Sequence, residues 1–307
     1  MKNILIDCDP GHDDAIALLM AAKSEELNLL GVTTVAGNCP LDDATRNALD
    51  VLDYADAAYV PVYAGCGKPL MREPYYAPQI HGKRGLGGYD LPAATAKARE
   101  GHAVDFIVNT LRNAEEQVTV VAIGPLTNIA MAFSIAPDIK DKIDKLVIMG
   151  GAVRAPGNVT SAAEFNCYCD PEAAKIVLES GCDTWLVALD VTMQALVYGE
   201  EIAKLKKSGS KTGRMAGGLL DHYWARYQES DPGIKGCPVH DALCIGWLMD
   251  QTLVEFEQVH IDVSIDSLTR GETVSDINGR LGLVPNIHLS KTVDRDRFSQ
   301  MIYAVLG

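Results

Sequence analysis

A short apolar run, Ile4-Leu5-Ile6, ends in four aspartates held within eight residues, Asp7-Cys8-Asp9-Pro10-Gly11-His12-Asp13-Asp14, and passes straight into Ala15-Ile16-Ala17-Leu18-Leu19-Met20. A strand, an acidic turn broken by Pro and Gly, and a helix-forming stretch make the opening of a βαβ unit. That order puts the carboxylates at the carboxyl end of a strand, where open α/β sheets form ligand crevices. Carboxylates this dense repel one another and are costly to bury without a counter-charge. The helix that begins near Asp13 offers only about half a unit of positive charge. A bound cation resolves the conflict. No His or Cys cluster with metal-ligand spacing accompanies the aspartates, so a hard, oxygen-seeking ion, Ca2+ or Mg2+, is expected rather than Zn2+. An ordinary acidic turn with an Asp cap would need only one or two of the four.

The rest of the chain repeats the same alternation. Strand-like runs occupy residues 3–6, 28–35, 60–63, 118–123, 145–149 and 184–188, and several are almost continuous in Val, Leu and Ile, as strands buried on both faces are. Helical patterns lie between them at 14–22, 41–54, 104–114, 128–133 and 171–180. The expectation is a Rossmann-like α/β fold: a mostly parallel sheet of right-handed βαβ units flanked by helices. From about 199 to 250 the pattern reads as helix only, giving an additional helical region near 200–250. A strand at 255–265, a hairpin-like pair at 280–284 and 287–289, and a terminal helix at 295–305 follow. No repeat, low-complexity tract or linker divides the chain, so residues 1–307 are read as a single domain.

Composition narrows the function classes. The net charge of −14 provides no basic stripe for nucleic acid. Mean hydropathy is +0.04, and no apolar run approaches the ~18–20 residues of a membrane span. The N-terminus begins at a strand, without a basic segment followed by an apolar one, so a cytoplasmic protein is expected. Its eight cysteines, Cys8, Cys39, Cys66, Cys167, Cys169, Cys182, Cys237 and Cys244, are scattered and read as reduced thiols. Cys167-Tyr168-Cys169 lacks the two-residue spacer of a redox or zinc pair, and both thiols read as packing residues.

Other polar residues gather at strand ends. Asn38 follows Thr33-Thr34-Val35-Ala36-Gly37; Ile123-Gly124-Pro125-Leu126-Thr127-Asn128 ends a second strand; Asn158, Glu164 and Asn166 sit in the loop at 150–170; His240-Asp241 opens a helical run. His81 begins a glycine-rich loop, residues 81–88. Taken singly, each has an ordinary explanation as a turn residue, cap or structural His. Together they bring carboxylates, amides and an imidazole to strand ends that converge on one crevice.

These segments carry a family resemblance. Asp7-Cys8-Asp9-Pro10-Gly11-His12-Asp13-Asp14-Ala15 resembles the N-terminal motif of the inosine-uridine-preferring nucleoside hydrolases. The resemblance extends through Val35-Ala36-Gly37-Asn38, His81-Gly82, Gly124-Pro125-Leu126-Thr127-Asn128, Met149-Gly150-Gly151, Glu164-Phe165-Asn166, His240-Asp241 and Leu268-Thr269-Arg270-Gly271. It implies hydrolysis of the N-glycosidic bond of a ribonucleoside, a bound Ca2+, and a dimeric or tetrameric homo-oligomer. It further implies that Asp9, Asp14, Asp241 and the main-chain carbonyl of Ile123 ligate Ca2+. Asp9 would serve as general base, and His240 would protonate the leaving base. Asp13, Asn38, Asn158, Glu164 and Asn166 would grip the ribose, with Asp7 in a supporting position. His81, Phe165, Tyr223 and Tyr227 are candidates for the base pocket, although Tyr223 and Tyr227, four apart on a helix, read equally well as core. Family members that lack a His at position 240 and carry tryptophans around the base tend to be purine-specific. This chain keeps His240, so broad or pyrimidine-preferring specificity is expected.

Two other readings compete. Asp7-Cys8-Asp9 after a strand also resembles the nucleophile loop of haloacid-dehalogenase-like, Mg2+-dependent phosphatases, although Gly11 stands where that motif usually has Thr or Val. The non-enzyme alternative is a ribose- or nucleoside-binding protein, which would not need an activated water.

Overall fold

The computed structural model describes residues 1–87 and 89–307; Gly88, the last residue of the glycine-rich loop read from the sequence, lies outside the described residues. The chain runs β1 (Lys2–Cys8), α1 (His12–Lys23), β2 (Leu27–Thr34), α2 (Leu41–Tyr54), β3 (Val62–Ala64), α3 (Pro78–His81), α4 (Ala103–Asn113), β4 (Val118–Ala122), α5 (Thr127–Ile135) and β5 (Ile143–Met149). It continues with α6 (Phe165–Cys169), α7 (Pro171–Leu178), β6 (Thr184–Val187), α8 (Leu189–Thr192), β7 (Leu196–Tyr198), α9 (Gly199–Lys206), α10 (Lys211–Ser230) and β8 (Gly236–Pro238). The last elements are α11 (His240–Met249), β9 (Val254–Val259), β10 (Ile261–Val263), β11 (Thr273–Ser275), β12 (Ile287–Val293) and α12 (Arg295–Leu306).

Eight strands form one sheet in the order β3-β2-β1-β4-β5-β6-β12-β9. All neighbours are parallel except β12 and the edge strand β9, which run antiparallel. Helices α1, α2 and α9 to α12 cover one face, while α4, α5 and α7 cover the other. Both faces being covered explains why β4 is buried along its whole length and reads as Val-Thr-Val-Val-Ala rather than alternating. Helix α1 is apolar nearly all round for the same reason. It packs against α2, α10, α11 and α12, and every residue from His12 to Ala21 is buried.

Three late elements differ from the sequence reading. The helical stretch at 199–250 is interrupted by β8, which pairs antiparallel with β7; three residues with a partner some forty positions upstream carry no local period to detect. The run at 255–265 is two strands, since the chain leaves the main sheet at His260 and β10 pairs instead with β11. The stretch at 280–284 forms no strand, and its Leu281, Leu283 and Val284 are exposed. Residues 287–293 instead join the main sheet between β6 and β9. No helix among the described residues is long and apolar enough to cross a membrane.

The topology fixes where a ligand can sit. From β1 the chain winds outward through β2 to β3, then returns to β4 on the other side of β1 and winds outward through β5 to β6. Strand order therefore reverses between β1 and β4, and their carboxyl ends diverge into a crevice. The register, Asp7 opposite Ala122 and Cys8 opposite Thr34, brings the residues that follow these strands to one level.

Asn128 ties this junction together. Its side chain is fully buried and donates to Asp7 Oδ1 at 2.8 Å and to the Thr34 carbonyl at 3.0 Å, while its Oδ1 accepts from the Cys66 amide at 2.9 Å. Asn128→Ala strands the Cys66 amide and removes a partner from Asp7, so it is expected to cost about 2–4 kcal/mol of stability. Urea denaturation measures this, and a loss below about 1 kcal/mol would show that the tie is unimportant.

Candidate active site

Asp13 and Asp14 lie in the first turn of α1 and Asp241 in the first turn of α11. Each residue brings a carboxylate oxygen to a common point, all within 4.8 Å of one another, and all three residues are buried. Two packed helices thus aim their positive ends at one cluster of negative charge. Burial, followed by repulsion from neighbouring carboxylates, raises the Asp13 and Asp241 pKa values; burial also raises that of Asp14, opposed by main-chain amides.

Asp9 lies behind this cluster. Its Oδ2 accepts from the Asn38 amide at 2.6 Å, whereas the equally buried Oδ1 has no protein partner. It is packed between two glycines that follow β2 and β4. A Cβ on Gly37 would sit 2.0 Å from Asp9 Oδ2, and one on Gly124 would sit 2.7 Å from Oδ1, so neither position has room for a side chain. Asp14 accepts from the Asp9 amide at 3.2 Å and the Gly11 amide at 2.9 Å. Asn38 Nδ2 bridges the Asp9 carbonyl and Asp14 Oδ2, at 3.2 and 3.1 Å. Burial and the Asp14 charge push the Asp9 pKa well up.

The residues present fit a cation. Four buried acids carry no Lys or Arg among their recorded hydrogen-bond or ion-pair partners, one oxygen is orphaned, and the donors are oxygen only, the set preferred by a hard divalent ion. Ile123 lines the same crevice, and its carbonyl accepts from Asn166 Nδ2 at 3.0 Å, which leaves it a second lone pair.

A cavity of about 560 Å³ opens over the cluster. Asp13, Asn38, His81, Ile123, Asn158, Glu164, Phe165, Asn166, Tyr223, Tyr227, His240 and Asp241 all line it, so the structure gathers nearly all residues selected from the sequence. Asp9 and Asp14 lie beneath this lining. Asp7 is farther back, with Oδ1 accepting from Thr33 Oγ1 at 2.6 Å and from Asn128, and burial lifts its pKa to about 7. Glu164 caps α6 and accepts from the amides of Gly151, Asn166 and Cys167 at 2.9–3.2 Å. Asn158 Oδ1 accepts from the Phe165 amide at 2.9 Å and holds that loop.

Opposite the carboxylates, a polar chain crosses the cavity wall. Tyr223 donates to Asp13 Oδ2 at 3.5 Å and lies 3.5 Å from the Tyr227 hydroxyl. Tyr227 is in turn 2.7 Å from His240 Nε2, and His240 Nδ1 is 2.7 Å from Thr192 Oγ1. Both tyrosines of α10 therefore reach the cavity while also packing in the core. Burial drives the His240 pKa down to about 4, so the ring is neutral at pH 7. Thr192, together with Leu189 and Met193 in the lining, was not selected from the sequence. These residues follow β6, so the strand-end rule marks their region, but nothing in the sequence singles out Thr192 before His240 is placed beside it. All eight cysteines are free, and Cys167 and Cys169 are buried, as their reading as packing residues requires.

Comparison with known proteins converges on the same identification. The family model described as inosine-uridine preferring nucleoside hydrolase matches residues 4–300. The chain is 41% identical over 298 residues to the pyrimidine-specific ribonucleoside hydrolase RihB of Shigella sonnei, covering 97% of this chain and 94% of that one. Among solved structures it resembles a purine-preferring ribonucleoside hydrolase from Gardnerella vaginalis, with a TM-score of 0.92, 33% identity, and coverage of 98% of this chain and 96% of that one. It also resembles the plant nucleoside hydrolase PpNRh1, with a TM-score of 0.93, 32% identity, and coverage of 98% and 97%. With buried acids at the switch point, the cavity above them and these relatives over almost its whole length, the chain belongs to the inosine-uridine preferring nucleoside hydrolase family and is a nucleoside N-glycosyl hydrolase.

Proposed function

We propose that this chain hydrolyses free ribonucleosides to ribose and base with Ca2+ bound at Asp9, Asp14, Asp241 and the Ile123 carbonyl, with broad or pyrimidine-preferring specificity. The reading includes a cytoplasmic homo-oligomer, a dimer or tetramer, acting in nucleoside salvage. The observation that carries the chemistry is the buried carboxylate cluster opening onto a cavity whose described lining contains no Lys or Arg. Such a cavity suits a neutral nucleoside and offers no Lys or Arg fork to a phosphate, which disfavours the phosphatase reading. Family membership likewise disfavours a non-catalytic binder.

When bound, the ion supplies positive charge that acidifies a water and orients hydroxyl oxygens. The remaining work belongs to the chain. Asp13, Asn38, Asn158, Glu164 and Asn166 hold the ribose and favour an oxocarbenium-like transition state. Asp9, with Oδ1 free of protein partners, takes the proton of the attacking water. His81, Phe165, Tyr223 and Tyr227 surround the base. The departing base needs a proton or a strong hydrogen bond, and His240 supplies it. Both ring nitrogens are engaged, Nε2 by Tyr227 and Nδ1 by Thr192, so the proton reaches the base through the Tyr227 hydroxyl. That hydroxyl gives up its own proton to the base as it takes one from Nε2, and the ring regains a proton from solvent after release. Pyrimidine preference rests on His240 and on the likeness to the pyrimidine-specific relative.

Incubation with uridine, cytidine, inosine and adenosine, followed by assay of free base and reducing sugar, tests the reaction; release of neither from any of the four rejects it. The cation has its own signature. Burial lifts the Asp13 pKa to about 8, so a proton sits in the cluster near neutrality and must leave as the ion enters, and affinity rises with pH. Adding Ca2+ to chelated protein is expected to release protons, read by calorimetry in two buffers. It should also raise the melting temperature, with about 2.7 kcal/mol of stabilisation at a hundredfold excess over Kd. Unchanged melting together with no proton release would reject the site.

Asp9→Asn keeps the shape and removes the base, so kcat is expected to fall ~10²–10⁴-fold while substrate binding largely survives. Wild-type kcat would refute that role. His240→Ala is expected to slow inosine and uridine ~10²-fold yet spare p-nitrophenyl riboside, whose leaving group is stable as an anion. Equal loss on both substrate types would instead point to a disturbed Asp241 next door.

A further inference from the structure

One imidazole in the acidic motif is left unused by this chemistry. His12 is fully buried at the start of α1, and its two ring nitrogens reach a different part of the site. Nδ1 lies 3.1 Å from His81 Nδ1, and Nε2 lies 3.0 Å from the Gly87 carbonyl oxygen; the His12 amide is 3.2 Å from His81 Nδ1. A carbonyl can only accept, which puts the His12 proton on Nε2. His81 Nδ1 accepts from the His12 amide, so the two Nδ1 atoms lie close with no hydrogen bond between them, and the ring's one hydrogen bond is to Gly87. The same ring stacks on Tyr223, with centroids 5.3 Å apart and planes 7° apart, and on His222 at 5.4 Å and 20°. One side chain therefore joins α1, the 82–87 loop and α10.

That loop has reason to need a fastener. It holds three glycines in six residues, Gly82, Gly85 and Gly87, so ordering it costs more backbone entropy than ordering most loops of its length. Its own closure rests on the Gly87 amide donating to the His81 carbonyl at 2.8 Å. His81 lies at the loop's root and lines the cavity.

We propose that His12 is a positioning residue: its ring Nε2 latches the 82–87 loop to α1 at the Gly87 carbonyl and so, through the Gly87 amide on the His81 carbonyl, fixes His81 in the cavity wall. The proposal deepens the nucleoside-hydrolase reading by stating how the base-side histidine is held, and it can be tested without substrate. His12→Phe keeps a flat ring for the stack and removes the hydrogen bond to Gly87. Amide hydrogen exchange at residues 82–87, measured in the full-length protein without nucleoside, is expected to quicken about tenfold. His12→Gln, which retains a donor near the Nε2 position, is expected to restore most of the protection. In turnover, His12→Phe is expected to lower kcat/KM about tenfold in the wild-type background and to cause little further loss in a His81→Ala background, since it acts through His81.

Unchanged exchange in His12→Phe, or equal fold-losses in the two backgrounds, overturns the latch. Faster exchange in a protein that hydrolyses no nucleoside leaves the latch standing and rejects the function reading instead. If His12→Phe does not fold, the comparison passes to His12→Gln against His12→Asn, whose amide reaches only the Nδ1 position. Greater protection with Gln supports the latch to Gly87, and equal protection overturns it.

Discussion

Mutual repulsion among buried carboxylates is the constraint around which this molecule is organised. Asp9, Asp13, Asp14 and Asp241 are all buried, and no Lys or Arg pairs with any of them among the recorded ion pairs. The fold supplies partial compensation in several pieces. Two helix N-termini point at the cluster, main-chain amides of Asp9, Gly11 and Asn38 donate into it, and Gly37 and Gly124 leave room for Asp9 between two strand ends. These contributions reduce the strain without removing it, and the cluster could hold an oxygen-ligated cation that completes the balance. The sheet topology follows from the same requirement, because only a switch point brings the ends of β1, β2 and β4 to one level beside two helix starts.

That arrangement separates the site into two chemical halves and also joins them. The acidic half is rigid, embedded between the sheet and α1, whose ten consecutive buried residues leave little scope for movement. The opposite half is built on α10, α11 and α8. The path from Asp13 through Tyr223 and Tyr227 to His240 and Thr192 connects the two. A change at the acidic cluster thus reaches His240 through hydrogen bonds as well as through charge.

The legible part of the sequence was the part encoded locally. Strands buried on both faces read as apolar runs, and α2, with Leu41 to Tyr54 on a regular helical period, was found at its observed bounds. The acidic motif was visible because four aspartates after a strand have few ordinary explanations, and the order of the remaining motifs carried the family. Long-range pairing stayed hidden. β8 exists only because Gly236–Pro238 meets Leu196–Tyr198, and β12 enters the main sheet through partners more than a hundred residues upstream on one side. Thr192 was missed for a different reason. A lone threonine in a strand-end helix has no chemical signature until His240 arrives 2.7 Å away.

His240 shows why geometry and titration must be read together. Its place beside Asp241 on the cavity wall suggests a ready acid, but burial holds the ring neutral across the physiological range. In the proposed reaction a neutral imidazole between two hydroxyls can still serve a departing base, since loss of the Nε2 proton through Tyr227 is partly offset by the hydrogen bond that Thr192 donates to Nδ1.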